Sequence, residues 1–250
     1  MRLLLDLGNT RLKWALSRDG QLCGDAGALA WDTPDFAAGL DAALAALPPV
    51  REVWLAVVAA PAHEAQVLAA LQRRLRAPVR HAQARAQVCG VRLAYREPAR
   101  MGIDRVLGLV AARAGGHAPC VLAALGTALT LDALDTAGNH LGGLIVAAPA
   151  RMQRILCETA ARVRPAHAGR IGWFAASTED ALASGAWLAA AALTEGFREQ
   201  TAQRLGASPA LLLSGGDAPV RAPWLRPPVH PLPQAVLRGL AVLAARPEQA

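Results

Sequence analysis

Asp6-Leu7-Gly8-Asn9-Thr10 places a carboxylate at the end of an apolar run, a glycine at a tight turn, and two small polar side chains directly after it. That combination suits a phosphate. Backbone N–H groups, Asn9 and Thr10 can donate into one small concave volume, and Asp6 can hold Mg²⁺. Lys13, the only lysine in the chain, lies on the strand leaving the turn and adds a point charge. Gly102-Ile103-Asp104-Arg105 opens a helix, where N–H groups and the dipole attract anions. Asp104 there can accept a proton from a hydroxyl, and Arg105 can pair with a carboxylate or phosphate. Ser214-Gly215-Gly216-Asp217 closes a buried run with glycines that let a flat ligand such as a purine lie on the backbone. Each motif also has a plain structural reading: a polar hairpin, a helix cap with a solvated Arg, a strand-to-helix turn.

The elements that must position these residues follow from hydrophobic period and turn chemistry. Leu3-Leu4-Leu5 is an apolar strand, and Leu12, Trp14 and Leu16 alternate against Lys13 and Ser17, so two strands meet in a hairpin at Gly8-Asn9. Asp19-Gly20 turns into a third strand. A helix follows over Pro34–Leu47, with Thr33 as its cap and Pro48-Pro49 as its stop. Val53–Val58 is a buried strand, Pro61–Leu75 a helix and Val79–His81 a short strand, which implies a sheet with a parallel part. Gln83–Met101 reads as a long loop with four arginines and the only tyrosine, Tyr95. Gly102–Arg113 is helical and ends at Gly115-Gly116.

Then the opening pattern returns. Val121–Asp132 overlays Leu3–Trp14 without a gap, with Leu125-Gly126-Thr127 in the place of Leu7-Gly8-Asn9. A third strand near His140–Val146 follows the Gly138-Asn139 turn. Helices over Arg151–Val163 and Thr178–Leu205, a strand at Ala210–Leu213 and a last helix over Gln234–Ala245 complete the repeat. Ser177-Thr178-Glu179-Asp180 reads as a helix cap with acidic first-turn residues. The natural cut is near Gly115-Gly116. Two facing phosphate turns would bracket a nucleotide's phosphate chain.

Composition narrows the class. The chain has 250 residues, 54% of them hydrophobic, and a formal charge of +7. It is a globular chain with room for two domains. Cys23, Cys89, Cys120 and Cys157 are scattered with no CxxC pair, and the histidines show no ligand spacing, which argues against zinc and disulfides. No apolar run reaches membrane-spanning length, and Asp6 interrupts any signal-peptide core, so a cytoplasmic protein is expected. The basic balance fits an anionic partner, but neither a helix-turn-helix nor aromatic–basic alternation supports nucleic acid.

Taken together and in order, these motifs resemble the type III pantothenate kinases, in the superfamily of acetate and sugar kinases, heat-shock chaperones and actin. The resemblance implies an α/β fold of two duplicated ribonuclease-H-like (actin-like ATPase) domains, residues 1–115 and 116–250, each with a mixed sheet, and an ATP cleft between them. It implies that Asp6, Leu7, Gly8, Asn9, Thr10, Arg11, Leu12, Lys13 and Thr127 contact ATP, with Asp6 holding Mg²⁺. Asp104 becomes the proton acceptor, and Tyr95, Gly102, Ile103, Asp104, Arg105 and Thr178 contact pantothenate. Leu141-Gly142-Gly143 and Ser214-Gly215-Gly216 match further glycine positions. The implied reaction is ATP-dependent phosphorylation of pantothenate by a homodimer. The family's second phosphate motif usually carries an Asp for a monovalent cation, potassium or ammonium; here that position is Ala124, and a methyl group ligates nothing. Another small-molecule kinase of the superfamily, or a regulatory accessory factor with little kinase activity, is the alternative.

Overall fold

The computed structural model describes residues 1–216 and 222–246, so Asp217 lies outside the described residues. Contacts divide the chain into two units. The first comprises Met1–Gly116, Gly138–His140 and the C-terminal helix from Gln234, whereas the sequence reading assigns all of 116–250 to the second domain. The second comprises His117–Ala137 and Leu141–Pro233.

In the first unit, β1 (Arg2–Leu7) and β2 (Arg11–Arg18) form the expected hairpin, in register from Arg2↔Ser17 to Leu7↔Leu12. β3 (Gln21–Ala30) pairs antiparallel with β2, while β4 (Glu52–Val57) pairs parallel with β1 and β5 (Val79–His81) parallel with β4. The sheet order is β3-β2-β1-β4-β5. Alternation sends Leu3, Leu5 and Leu7 to one face, where they pack with Phe36, Leu40, Val67 and Leu71 of α1 (Phe36–Ala45) and α2 (Pro61–Arg74). Leu4 and Asp6 take the other face. The face of Lys13 and Ser17, expected to be polar, is partly closed. Ala15 and Ser17 are buried, because α6 (Ala235–Ala245) packs on β1, β2 and β3.

α1 starts two residues later than expected. Thr33 accepts the Phe36 N–H through its backbone carbonyl, not its side chain, and Asp35 takes a left-handed conformation at the cap. The long loop contains a minimal hairpin, β6 (Gln87–Val88) with β7 (Val91–Arg92), and a single 3₁₀ turn at Pro98–Arg100. After it comes α3 (Ile103–Ala114), buried along almost its whole length. α3 and α6 cross closely at Gly239, where any Cβ would collide with the Leu107 carbonyl.

The second unit repeats the plan. β8 (Cys120–Leu125), β9 (Ala128–Leu134), β10 (His140–Ala147), β11 (Ala210–Gly215) and β12 (Val229–Pro231) form a sheet of order β10-β9-β8-β11-β12. β8 is antiparallel to β9 and parallel to β11, as β1 is to β2 and β4. The gapless overlay holds only to the turn. Leu125 pairs with Leu129, whereas Leu7 pairs with Leu12, so the second connection is one residue shorter and Thr130, not Leu131, is the counterpart of Lys13. β12 adds a strand that the expected elements lack. α4 spans Pro149–Thr159, and α5 covers the expected Thr178–Leu205, with the Ser177 hydroxyl accepting the Asp180 N–H at 3.1 Å and left-handed Gly206 as its stop.

Candidate active site

Asp6 sits one residue from the end of β1, with its side chain only 7% exposed. Burial pushes its carboxyl up from 3.8 to about 6; Lys13 opposes the rise, and the negative charge of Asp104 adds to it. The Lys13 Nζ stands 3.7 Å from Asp6 Oδ2 and is 40% exposed. Two carboxylates and one ammonium thus share a single field. Such a donor set fits a divalent cation carried in on a nucleotide, because the cation relieves both burial and repulsion. Among the described residues, no group of three or more His, Cys, Asp or Glu side chains could hold a metal ion by itself.

Asp104 occupies the first turn of α3, behind its cap residue Gly102. Its Oδ1 accepts the Arg105 backbone N–H at 2.9 Å. The carboxylate folds back so far that a Cβ on residue 102 would lie 2.6 Å from Oδ1. Glycine is therefore what lets Asp104 take this pose. Arg105 is not a solvated arginine: it is 6% exposed, and its Nη1 donates to the Tyr95 hydroxyl at 2.7 Å. Its guanidinium carbon lies 5.7 Å from the Tyr95 ring centroid, and that ring stacks on buried His140 at 6.1 Å and 20°. A pocket of about 540 Å³ opens beside Gly102 and Ile103, at the carboxyl ends of β4 and β5, lined further by Val57, Val58, Gln83 and Arg100. Open α/β sheets commonly take ligands at that end.

At the hairpin turn Leu7 is buried, Gly8 half-buried, and Asn9, Thr10 and Arg11 are exposed; Leu12 returns to the core. Gly8 N–H donates to Arg11 O at 3.2 Å, closing the loop. Asp6, Lys13 and Asp104 are brought together, and so are Gly102, Ile103, Arg105 and Tyr95.

The remaining candidates lie in the second unit. Thr127 is half-buried in the β8–β9 turn, where Gly126 N–H donates to Ala128 O at 3.0 Å. Thr178 is the exposed first residue of α5. Ala124 stands in a row with Thr130 on β9 and Ser214 on β11. No carboxylate stands at that position, so its residue does not fit the cation ligand of the resemblance. Gly215 has φ +97° and no room for a Cβ because the Leu125 carbonyl occupies the space, so its glycine is explained by strand packing; Gly216 has open space around it.

Sequence reasoning passed over three residues here. Asp132 is 1% exposed on β9, on the same face as Thr130; its alternation with Thr130 was the available signal. His140, beneath Tyr95, and Trp31, whose indole N–H donates to Gly8 O at 2.7 Å, give no local signal, since each partner lies far away in the chain.

Two sheets of one topology, each opening on a hairpin with a small polar turn, give the chain an α/β fold of the actin-like ATPase type. The fold is shared with the activator of the 2-hydroxyisocaproyl-CoA dehydratase from Clostridium difficile with bound ADPNP, at TM-score 0.55 and 13% identity over 99% of this chain and 96% of that one. It is also shared with component A of the (R)-2-hydroxyglutaryl-CoA dehydratase of Acidaminococcus fermentans, at TM-score 0.56 and 12% identity over 98% and 96%. The family model for type III pantothenate kinase matches residues 2–200. The type III pantothenate kinase of Xanthomonas campestris pv. campestris (strain B100) is 42% identical over 246 residues, 96% of each chain. The chain belongs to the type III pantothenate kinase family.

Proposed function

We propose that this protein transfers the γ-phosphoryl group of ATP to the 4′-hydroxyl of pantothenate, giving 4′-phosphopantothenate and ADP at the entry to coenzyme A synthesis. The observation that carries the reading is the Asp104 carboxylate, held on a helix start beside Asp6 and next to a pocket of about 540 Å³, in a chain of this family. Phosphoryl transfer passes through a loose transition state, so the protein's work is positioning and charge stabilisation. Asp104 orients the acceptor hydroxyl and takes its proton as the oxygen bonds to phosphorus. Arg105, held by Tyr95, fixes the acceptor substrate, with Thr178 as a further contact. Asp6 would hold the Mg²⁺ that accompanies ATP, which would supply charge neutralisation at the phosphates. The amides of Gly8–Thr10, the Lys13 ammonium and the Gly126-Thr127 turn cradle the phosphates. No step is assigned to a monovalent cation.

The same reading makes the enzyme a cytoplasmic homodimer. Leu144, Ile145, Ile155, Leu156, Trp173 and Phe174 are large apolar side chains exposed on the second unit, which supports self-association. Among the described residues no helix is long and apolar enough to cross a membrane. Light scattering should give twice the monomer mass, and a monomer would refute the dimer. The activity is tested by ATP consumption with pantothenate against a panel of other hydroxyl acceptors. Pantothenate-dependent ADP release is expected; preference for a sugar acceptor would sink the assignment.

A further inference from the structure

We propose that Trp31 is a positioning residue for the nucleotide, aiming the backbone amides of the Gly8–Arg11 turn at the phosphates of ATP. This rests on the reading of that turn as a phosphate site. Trp31 follows β3 directly and donates to the turn twice. Its indole Nε1–H reaches Gly8 O at 2.7 Å, and its backbone N–H reaches Thr10 O at 3.2 Å. On either side, Leu7 O accepts from Val58 and Ala59 N–H, both at 3.0 Å, and Arg11 O accepts from Gly8 N–H. The carbonyls of Leu7, Gly8, Thr10 and Arg11 therefore all have donors inside the protein.

Peptide geometry then fixes the amides. In a planar trans peptide the C=O and the following N–H point in opposite directions, and no peptide of this turn is cis. With Gly8 O and Thr10 O drawn toward Trp31, the N–H groups of Asn9 and Arg11 are turned away from it. Successive amides presented from one side of a tight turn form an anion-binding concavity. Freed of the indole, the Gly8–Asn9 peptide could rotate its carbonyl outward and meet phosphate oxygens with a negative dipole.

The indole is itself held in place. It stacks on His63 at 4.3 Å with the planes 4° apart, and leans on Phe36 at 5.0 Å and 43°. His63 lies in the first turn of α2, and its Nδ1 is buried without a hydrogen-bond partner, so here the ring serves as a flat surface. The indole of Trp31 is thus wedged between the start of α2 and the start of α1, with its one donor aimed at the turn.

Trp31→Phe keeps an aromatic ring for the stack and removes the indole N–H together with its five-membered ring. The expected result is a rise of about three- to tenfold in KM for ATP, the weight of one ordinary hydrogen bond. KM for pantothenate should stay unchanged, as should the melting temperature to within a few degrees. Hydrogen–deuterium exchange of the segment spanning residues 8–11 is measured alongside, with and without Mg·ATP. If Mg·ATP fails to slow exchange there in the unsubstituted protein, the turn is not a phosphate site and the underlying reading fails. If it slows exchange there but Trp31→Phe shows the same KM for ATP and the same protection, the proposal for Trp31 alone is overturned. A lowered melting temperature with KM for ATP unchanged would overturn it equally, because Trp31 would then be only structural.

Discussion

Asp104→Asn exchanges a carboxylate for an amide of nearly the same shape. Its Oδ1 can still accept the Arg105 N–H that Asp104 now takes at 2.9 Å, so the start of α3 should survive. What disappears is the proton acceptor and one negative charge. A positioned general base contributes about 10²–10⁴ in rate, or roughly 3–5 kcal/mol of barrier, and kcat should fall by that factor with KM for ATP changed little. The lost charge has a second consequence. Asp104 is one of the influences raising Asp6 to about 6, so its neutralisation should lower that value. Mg·ATP needs Asp6 ionised, so binding to the unsubstituted protein should weaken as pH falls through about 6, and in the variant the weakening should begin at lower pH. Steady-state ADP release at saturating pantothenate measures the first effect. Titration calorimetry with a non-hydrolysable Mg·ATP analogue on both sides of pH 6 measures the second. Turnover within about threefold of normal would remove Asp104 from its role. An acid limb that stays put would show that the two carboxylates do not share a field.

Gly102→Ala should cost about 10²-fold in kcat, since the new Cβ would lie 2.6 Å from Asp104 Oδ1 and displace the carboxylate; unchanged turnover would mean that this pose does not matter. Gly239→Ala forces α3 and α6 apart at the Leu107 carbonyl and should lower stability by about 1–3 kcal/mol, read by chemical denaturation, whereas an unchanged midpoint would contradict the close crossing. Because its carboxyl is raised by burial, Asp6 contributes stability that is full below about pH 3.8 and lost as pH rises through about 6, so Asp6→Asn should flatten the stability profile over that interval. Exchanging K⁺ for Na⁺ at constant ionic strength should leave the rate unchanged with Ala124 in the chain; a steep K⁺ requirement would point to Thr130, Ser214 or Asp132 as substitute ligands.

Local signals in the sequence are most legible where one residue decides an outcome. Ser177 and Gly206 delimit α5 at both ends through a side-chain cap and a left-handed stop, and both residue types are visible in the chain. The duplicated hairpin likewise predicts two sheets of one order. The shorter second turn was not legible, because an apolar strand tolerates a one-residue offset in the text while pairing does not. Thr33 does not cap α1 with its side chain: its backbone carbonyl accepts the Phe36 N–H, and left-handed Asp35 stands at the cap with no side-chain hydrogen bond. At the site, the motif residues Asp6, Asp104 and Arg105 declared themselves by type and spacing. Tyr95 under Arg105 came from the resemblance, and the His140 ring beneath it came only from the fold. Trp31 is separated from Gly8 by 23 residues, and nothing local marks such a partner.

The placement of α6 bears on how the chain comes to be folded during synthesis. The sheet that carries Asp6 has one face closed by α1 and α2, whereas β1, β2 and β3 also need α6, as does α3. Until Ala235–Ala245 has left the ribosome, Ala15, Ser17 and the Leu107 turn of α3 lack their cover. The N-terminal unit therefore waits for the second half of the chain to be translated, a delay of seconds to tens of seconds at ordinary elongation rates. A fragment ending near Gly116 would expose that surface permanently, and a nascent chain stalled before Ala235 would offer it to chaperones.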